Sequence, residues 1–174
     1  ATRDFLTGLL NRREIYRRME EELQRSRRTG TPFSLFLLDL DHFKRVNDQH
    51  GHSVGDLVLQ ETAAAMQRTV RPYDLCGRYG GEEVFVSLPG TGQVEAAEVA
   101  ERIRLAIAAL QIAVDGCNTL QITASIGVAA MQPHETIDQL VARADEAMYQ
   151  GKQQGRNRVN VAAATQQQTE KAET

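Results

Sequence analysis

The feature that most constrains the fold is the run Phe33-Ser34-Leu35-Phe36-Leu37-Leu38-Asp39-Leu40, an almost unbroken apolar stretch of strand length that carries an acid near its end. So short and continuous a run reads as a strand with cover on both faces or a central position in a sheet. It needs strand neighbours and helices packed against it, and the rest of the chain supplies both. A helix over about residues 11–28, striped by Ile15, Met19 and Leu23, precedes it. After it, His52-Ser53-Val54-Gly55-Asp56 offers a Ser N-cap with an acid three residues on, opening a helix to about Thr69 with Val54, Val58 and Ala65 on one face. Strands at Asp74–Tyr79 and Val84–Leu88 follow, joined across Gly80-Gly81, a pair that supplies the positive φ of a tight hairpin and, lacking Cβ atoms beside Glu82 and Glu83, lets a substrate approach the backbone closely. Helical spacing returns over Gln93–Leu110. Leu120, Ile122, Ala124, Ile126 and Val128 then alternate with polar or small residues, and a short strand near Ile112–Val114 pairs with them through Asp115-Gly116. A last helix covers about Thr136–Lys152, and residues 158–161 can add an edge strand.

Reduced to its core the order is β-α-β-β-α-β, which predicts a ferredoxin-like or palm arrangement of the α/β (α+β) class, a mostly antiparallel sheet flanked by helices. Its first and third strands lie antiparallel at the centre, so the end of the first meets the start of the third. Asp39 should therefore face Glu82 and Glu83. Three carboxylates at one sheet end repel unless protonated or neutralised, and hard oxygen ligands of this kind suit Mg²⁺, which often shares phosphate oxygens. A metal-dependent phosphate reaction is one reading; a turn-capping Asp39 beside solvated hairpin acids is the other. Lys152, four residues after Met148, should project along the same sheet end, and Arg156 follows Gly155. A point charge and a planar fork could together bind a polyphosphate, or simply complement the negative end of the helix.

Composition narrows the field. Lys and Arg number 20 against 23 Asp and Glu, a net charge of −3, which removes the basic excess expected of a duplex-binding domain. No window approaches the roughly 18 apolar residues of a membrane span. Cys76 and Cys117 are too few and too isolated for a disulfide framework or a zinc site, which fits a reducing compartment. P-loop, dinucleotide-fold, zincin and C-x-x-C signatures are missing, and Val84–Leu88 holds one aromatic where an RNA-recognition sheet wants several. One domain over residues 1–161 is expected, with the polar, aperiodic residues 162–174 as a frayed tail. The chain opens at Ala1 directly in motif-like sequence and reads as a fragment.

Arg78-Tyr79-Gly80-Gly81-Glu82-Glu83 resembles the signature of the GGDEF family of diguanylate cyclases. Asp4 to Arg12 looks like the family's D-x-L-T-x-L-x-N-R motif, Asp39 to Asp48 like D-x-D-x-F-K-x-x-N-D, and Gly51-His52 with Gly55-Asp56 like the G-H-x-x-G-D that follows. Ser125 to Val128, Ala144-Asp145 and Gly155-Arg156-Asn157 complete the set, which spans residues 4–158. The resemblance implies a nucleotidyl-cyclase palm that condenses two GTP into cyclic di-GMP and two pyrophosphates in a site shared by a two-fold homodimer. It implies a cytoplasmic catalytic domain without membrane contact or nucleic-acid partner, and in the parent protein a preceding sensory or receiver domain.

Residue by residue, the resemblance implies metal ligation by Asp39, Glu82 and the Leu40 carbonyl, with two Mg²⁺ per site, or Mn²⁺ in their place. Glu83 falls at an acid linked either to the metal or to activation of the 3′-hydroxyl. Asn47 and Asp56 map onto the guanine readers, which suits guanine's N1–H and N2–H₂ donors, although Asp56 could instead cap its helix. His42 and Phe43 contribute backbone N–H groups to phosphate, and Lys152 and Arg156 its cations. Arg71 and Asp74 match the R-x-x-D motif that binds product as inhibitor, with Arg102 as a second contact; a surface ion pair in a turn is the alternative. One departure is plain: the signature's last Phe is Val84, a smaller filler that should still pack inward. The signature acids are intact, which favours an active enzyme over the alternative, an inactive module that senses GTP or cyclic di-GMP.

Overall fold

In the computed structural model, which describes residues 1–165, the apolar run is the central strand β1 (Phe33–Leu40), buried along its whole length. The elements in chain order are α1 (Arg12–Thr29), β1, α2 (Phe43–His50), α3 (His52–Thr69), β2 (Leu75–Arg78), β3 (Glu83–Pro89), α4 (Gln93–Ala108), β4 (Ile112–Asp115), β5 (Asn118–Leu120), β6 (Ala124–Ala130), α5 (Ile137–Gln153) and β7 (Arg158–Val161). The main sheet has the order β2-β3-β1-β6-β7, antiparallel except for β7, which adds to β6 in parallel. The expected edge strand at 158–161 is thus present, and β1 and β3 are the expected antiparallel neighbours.

Alternation along β1 divides the core into two layers. Phe33, Leu35 and Leu37 join Phe85, Ile15, Met19 and Leu23 of α1 and Leu140, Ala144 and Met148 of α5. Phe36, Leu38 and Leu40 join Val84, Val86, Val58 and Met66 of α3 and Val99 and Ile103 of α4. Val84 therefore packs inward as expected, 6% exposed. The height of α5 over the sheet is set at Gly127 of β6: a Cβ there would lie 2.0 Å from the Ala144 carbonyl oxygen and 2.4 Å from the Met148 nitrogen. Only a glycine lets helix and strand approach so closely.

Four expectations are corrected. The segment between β1 and α3 holds a helix, α2, where none was expected. Its apolar residues are only Phe43 and Val46, too few to draw a stripe. Ser53 does not cap α3, which already begins at His52 after Gly51 (φ 87°) with no side-chain cap; α2 ends on the same Gly51 and leaves no extended residue for a Ser cap. Ile112–Asp115 does pair with the segment up to Leu120, but β4 and β5 form a separate two-stranded sheet, and the main-sheet strand starts only at Ala124. Finally, Gly80 and Gly81 are not among the residues with positive φ, because the β2–β3 connection spans four residues and needs no mirror-image turn.

The segment before α1 lies against β2. Leu10 N–H donates to the Cys76 carbonyl (3.1 Å) and Arg78 N–H to the Leu10 carbonyl (2.8 Å), while Asp4 pairs with Arg78 at 3.2 Å. Of the expected tail, Ala162 N–H donates to the Val128 carbonyl (2.7 Å), and residues 166–174 lie outside the described residues. No described helix is long and apolar enough to cross a membrane.

Candidate active site

Register puts Asp39 of β1 opposite Glu83 of β3 on one side and Ser125 of β6 on the other. Asp39 is 6% exposed, and Lys152, near the end of α5, reaches its Oδ2 at 3.0 Å. Burial pushes the Asp39 carboxyl up from 3.8 to about 6; the Lys152 ion pair opposes this, and the charges of Glu82 and Glu83 add to it. Glu83 is also raised, first by burial and then by Asp145, with Lys152 opposing. Asp145 and Lys152 are seven residues apart on α5 and so share a face. The seven-residue spacing to Lys152 is the sequence signal that places Asp145 in the same cluster.

Glu82, whose charge acts on both Asp39 and Glu83, also faces a neighbouring cavity. It lines a cavity of about 320 Å³ with Phe43, Lys44, Asn47, His52, Asp56, Leu59, Arg78 and Gly81. At the cavity wall the Asn47 Oδ1 is buried without a hydrogen-bond partner, and a Cβ on Gly55 would lie only 1.8 Å from it. Asn47 and Asp56 are thus brought together, but Asp56 stands exposed rather than buried, and it caps no helix end. His42, in the left-handed region at φ 56°, precedes α2 and gives it no side-chain cap, so the first N–H groups of that helix, from Phe43 onward, have no side-chain acceptor. Lys44 was missed from sequence; it sits in the K of the D-x-D-x-F-K segment, one residue into α2.

Among the described residues no three His, Cys, Asp or Glu side chains converge closely enough to hold a metal ion by themselves. The donor set still fits Mg²⁺, which is commonly held by one or two carboxylates plus substrate phosphates and keeps water in its remaining positions. All the available donors, Asp39, Glu82, Glu83 and the Leu40 carbonyl, are hard oxygens at one sheet end. Arg156 lies just past α5 with φ 64°, and its guanidinium has no partner among the described residues.

The turn between β2 and β3 is tied down by Arg78, whose Nε and Nη2 donate to the carbonyls of Gly80 (3.2 Å) and Gly81 (2.8 Å). Gly80 serves close approach: a Cβ on it would stand 2.9 Å from Glu83 Oε2. At Gly81 nothing lies within 4 Å of that position, so the backbone is open to a ligand.

Arg71 and Asp74 lie apart from this end, before β2. Arg71 Nε is 3.6 Å from Asp74 Oδ2, its Nη2 is 3.2 Å from Glu95 of α4, and its guanidinium stacks 5.3 Å from the Tyr73 ring centroid. Asp74 is raised by burial, with Arg71 opposing, and its Oδ1 is left without a partner. Arg102 is exposed and makes no contact with this pair; it stands seven residues beyond Glu95 on the same helix face, about 10 Å further along.

The family model described as "Diguanylate cyclase, GGDEF domain" matches residues 1–158. The chain is 42% identical over 162 residues to diguanylate cyclase DgcP of Pseudomonas aeruginosa, covering 93% of this chain and 24% of that protein. It is 43% identical over 161 residues to the response regulator PleD of Caulobacter vibrioides, covering 91% of this chain and 36% of the relative. It therefore spans only a quarter to a third of these curated relatives. Among solved structures, the GGDEF domain of DgcB from Caulobacter crescentus in complex with c-di-GMP superposes with a TM-score of 0.90 at 34% identity, covering 94% of both chains. With the signature turn, the facing acids and this match along nearly its whole length, the chain belongs to the GGDEF-domain family of diguanylate cyclases.

Proposed function

We propose that this domain condenses two GTP into cyclic di-GMP with release of two pyrophosphates, each GTP held by one domain of a two-fold dimer. The observation that carries the reading is the meeting of Asp39, Glu83 and Lys152 at one sheet end, with the Asn47 cavity beside it. The relatives agree with it, DgcP being a diguanylate cyclase and the DgcB domain having c-di-GMP bound.

In this mechanism Asn47 and Asp56 take the guanine. The unpartnered Asn47 Oδ1 accepts from the N2 amino group, and the Asp56 carboxylate accepts from N1–H and N2–H together, becoming buried by the base. Adenine, with an acceptor at N1, would leave that carboxylate unpaired. The uncapped N-terminus of α2, at His42 and Phe43, donates N–H groups to phosphate. Lys44, Lys152 and Arg156 add positive charge. Asp39, Glu82 and the Leu40 carbonyl would hold a divalent cation, which when bound neutralises phosphate charge and orients the in-line displacement. Glu83, its carboxyl raised by burial, takes the proton of the 3′-hydroxyl. The O3′–Pα bond forms as the bond from Pα to the bridging oxygen of pyrophosphate breaks. Because each 3′-hydroxyl attacks the phosphate held by the other domain, a single domain cannot complete the reaction. Product binding at Arg71 and Asp74, with Arg102 as a further arm, would restrain the reaction.

The test is incubation of the concentrated domain with GTP and Mg²⁺, following cyclic di-GMP and pyrophosphate against a Glu83→Ala control. Product from the parent alone is expected. GTP binding by a demonstrated dimer without turnover would replace the cyclase reading with that of a sensing module. For guanine selection, Asp56→Ala should erode the preference for GTP over ATP, and an unchanged preference would remove Asp56 from the guanine site.

A further inference from the structure

The D-x-D of the Asp39–Asp48 segment contains a second acid, Asp41, to which the mechanism above gives no role. It is 5% exposed. Its Oδ1 accepts from Ser125 Oγ at 2.6 Å, and its Oδ2 accepts from Thr123 Oγ1 at 2.6 Å and from the backbone N–H of Asn157 at 3.0 Å. Its own N–H donates to the Thr123 carbonyl at 2.8 Å. No Lys or Arg pairs with it among the described residues. Hydrogen bonds from neutral donors, rather than a cation, satisfy both of its side-chain oxygens.

Two of those donors lie where β6 begins, and the third lies in the turn that follows α5. There Arg156 and Asn157 have φ of 64° and 47°, a pair of consecutive left-handed residues, neither of them glycine. L-residues rarely adopt this conformation, and it persists only where the surroundings determine it. The surroundings here are a bond from Arg158 Nε to the Arg156 carbonyl at 3.2 Å and three further ties. Arg156 N–H donates to the Gly151 carbonyl at 2.9 Å, Arg104 donates to Asn157 Oδ1 at 2.7 Å, and Asn157 N–H donates to Asp41. Of these, only the bond to Asp41 joins the turn to the residue that follows β1, the strand that carries Asp39. Asp39 is the last residue but one of β1, and Asp41 follows Leu40 in the turn that leads into α2. The first faces Lys152, and the second grips the turn after α5 at Asn157, five residues beyond Lys152.

We infer that Asp41 is a positioning residue: by accepting the Asn157 N–H it fixes the left-handed turn and presents Arg156 at the sheet end that carries Asp39 and Lys152. The inference rests on the reading of Arg156 as a phosphate ligand. An Arg fork binds phosphate well only when its two N–H groups are aimed together. Released from Asp41, the turn relaxes toward ordinary φ and the fork is no longer held in place. Nucleotide binding then weakens, while the proton transfer at Glu83 is untouched.

The test is steady-state kinetics with GTP on Asp41→Ala, Asp41→Asn, Arg156→Ala and the Asp41→Ala/Arg156→Ala double variant, together with amide hydrogen exchange at Asn157. Asp41→Ala should raise KM about tenfold with kcat changed by less than about threefold, and should accelerate Asn157 exchange. Asp41→Asn should bring KM back to within about threefold of the parent, because its carbonyl oxygen still accepts from Asn157 while its amino group donates to Ser125 Oγ. The double variant should be no worse than Arg156→Ala, as two changes acting through one contact are not additive. KM effects that multiply, or an Asp41→Asn as impaired as Asp41→Ala, would overturn the inference and leave the phosphate role of Arg156 standing. An Arg156→Ala with the parent's KM overturns that role and the inference with it. If Asp41→Ala does not fold, Thr123→Val, which removes one of the two hydroxyl donors, takes its place: faster Asn157 exchange with a raised KM supports the inference, and an unchanged KM overturns it.

Discussion

Replacing Asp39 with Asn should make the folded domain more stable while abolishing turnover, and the gain should depend on pH in a way that only a buried carboxylate explains. In the folded chain Asp39 keeps its proton up to about pH 6, against 3.8 for the ordinary carboxyl. Between those limits the folded state binds more protons than the unfolded one, so this residue's contribution falls as pH rises. A difference of about two pKa units at ~1.36 kcal/mol each puts the full cost of the ionised group at roughly 3 kcal/mol, reached above pH 6. Asn has the size of the protonated acid and carries no charge to bury. Urea unfolding of Asp39→Asn and the parent, run in steps from pH 4 to pH 8, should show an advantage for the variant below about 1 kcal/mol at the acid end. It should grow to about 3 kcal/mol and then level off above pH 6. An advantage that does not change with pH, or a parent that gains on the variant as pH rises, would refute the reasoning and mean that Lys152 more than offsets the burial.

Gly55→Ala should separate stability from binding. Ala favours the helix by about 1 kcal/mol, yet its Cβ would displace Asn47 Oδ1, so an unchanged or raised urea midpoint should accompany a KM for GTP raised about tenfold. Gly127→Ala should cost about 3 kcal/mol or more in urea unfolding, because its Cβ would meet the backbone of α5 rather than a movable side chain. Arg71→Ala removes the partner of a buried Asp74 and should raise the cyclic di-GMP concentration that halves the rate by at least about tenfold, read from initial rates at increasing product.

The central strand was legible because burial on both faces leaves an unmistakable apolar run, and once Phe33–Leu40 was placed the β-α-β-β-α-β order brought Asp39 to Glu83. Helix α2 was not legible, since it is short and its motif residues, Lys44, Asn47 and Asp48, are kept polar along most of its length. The alternation through Leu120 and Ile122 suggested strand beyond its real limit. Residues 121–123 leave the ladder there, and the Thr123 carbonyl is taken by Asp41 instead. The Lys152–Asp39 ion pair depends on how close α5 comes to the sheet, and that height is fixed by the missing side chain of Gly127, which no periodicity reveals. The Gly80-Gly81 pair was legible for its space as well as for its turn, and only the positive φ failed: a Cβ on Gly80 would meet Glu83, and nothing lies near that position at Gly81.

Strand β2 forms one edge of the main sheet, and an edge left uncovered presents unpaired backbone groups that recruit strands from other chains. Here the segment before α1 covers that edge, with Leu10 bonded to both Cys76 and Arg78. A chain cut back past Leu10 would uncover the backbone groups of β2 just where the strand leads into the Gly80 turn. Self-association through that edge would follow, and it would draw two copies together side to side, in a geometry unrelated to the face-to-face pairing that condensation of two nucleotides requires.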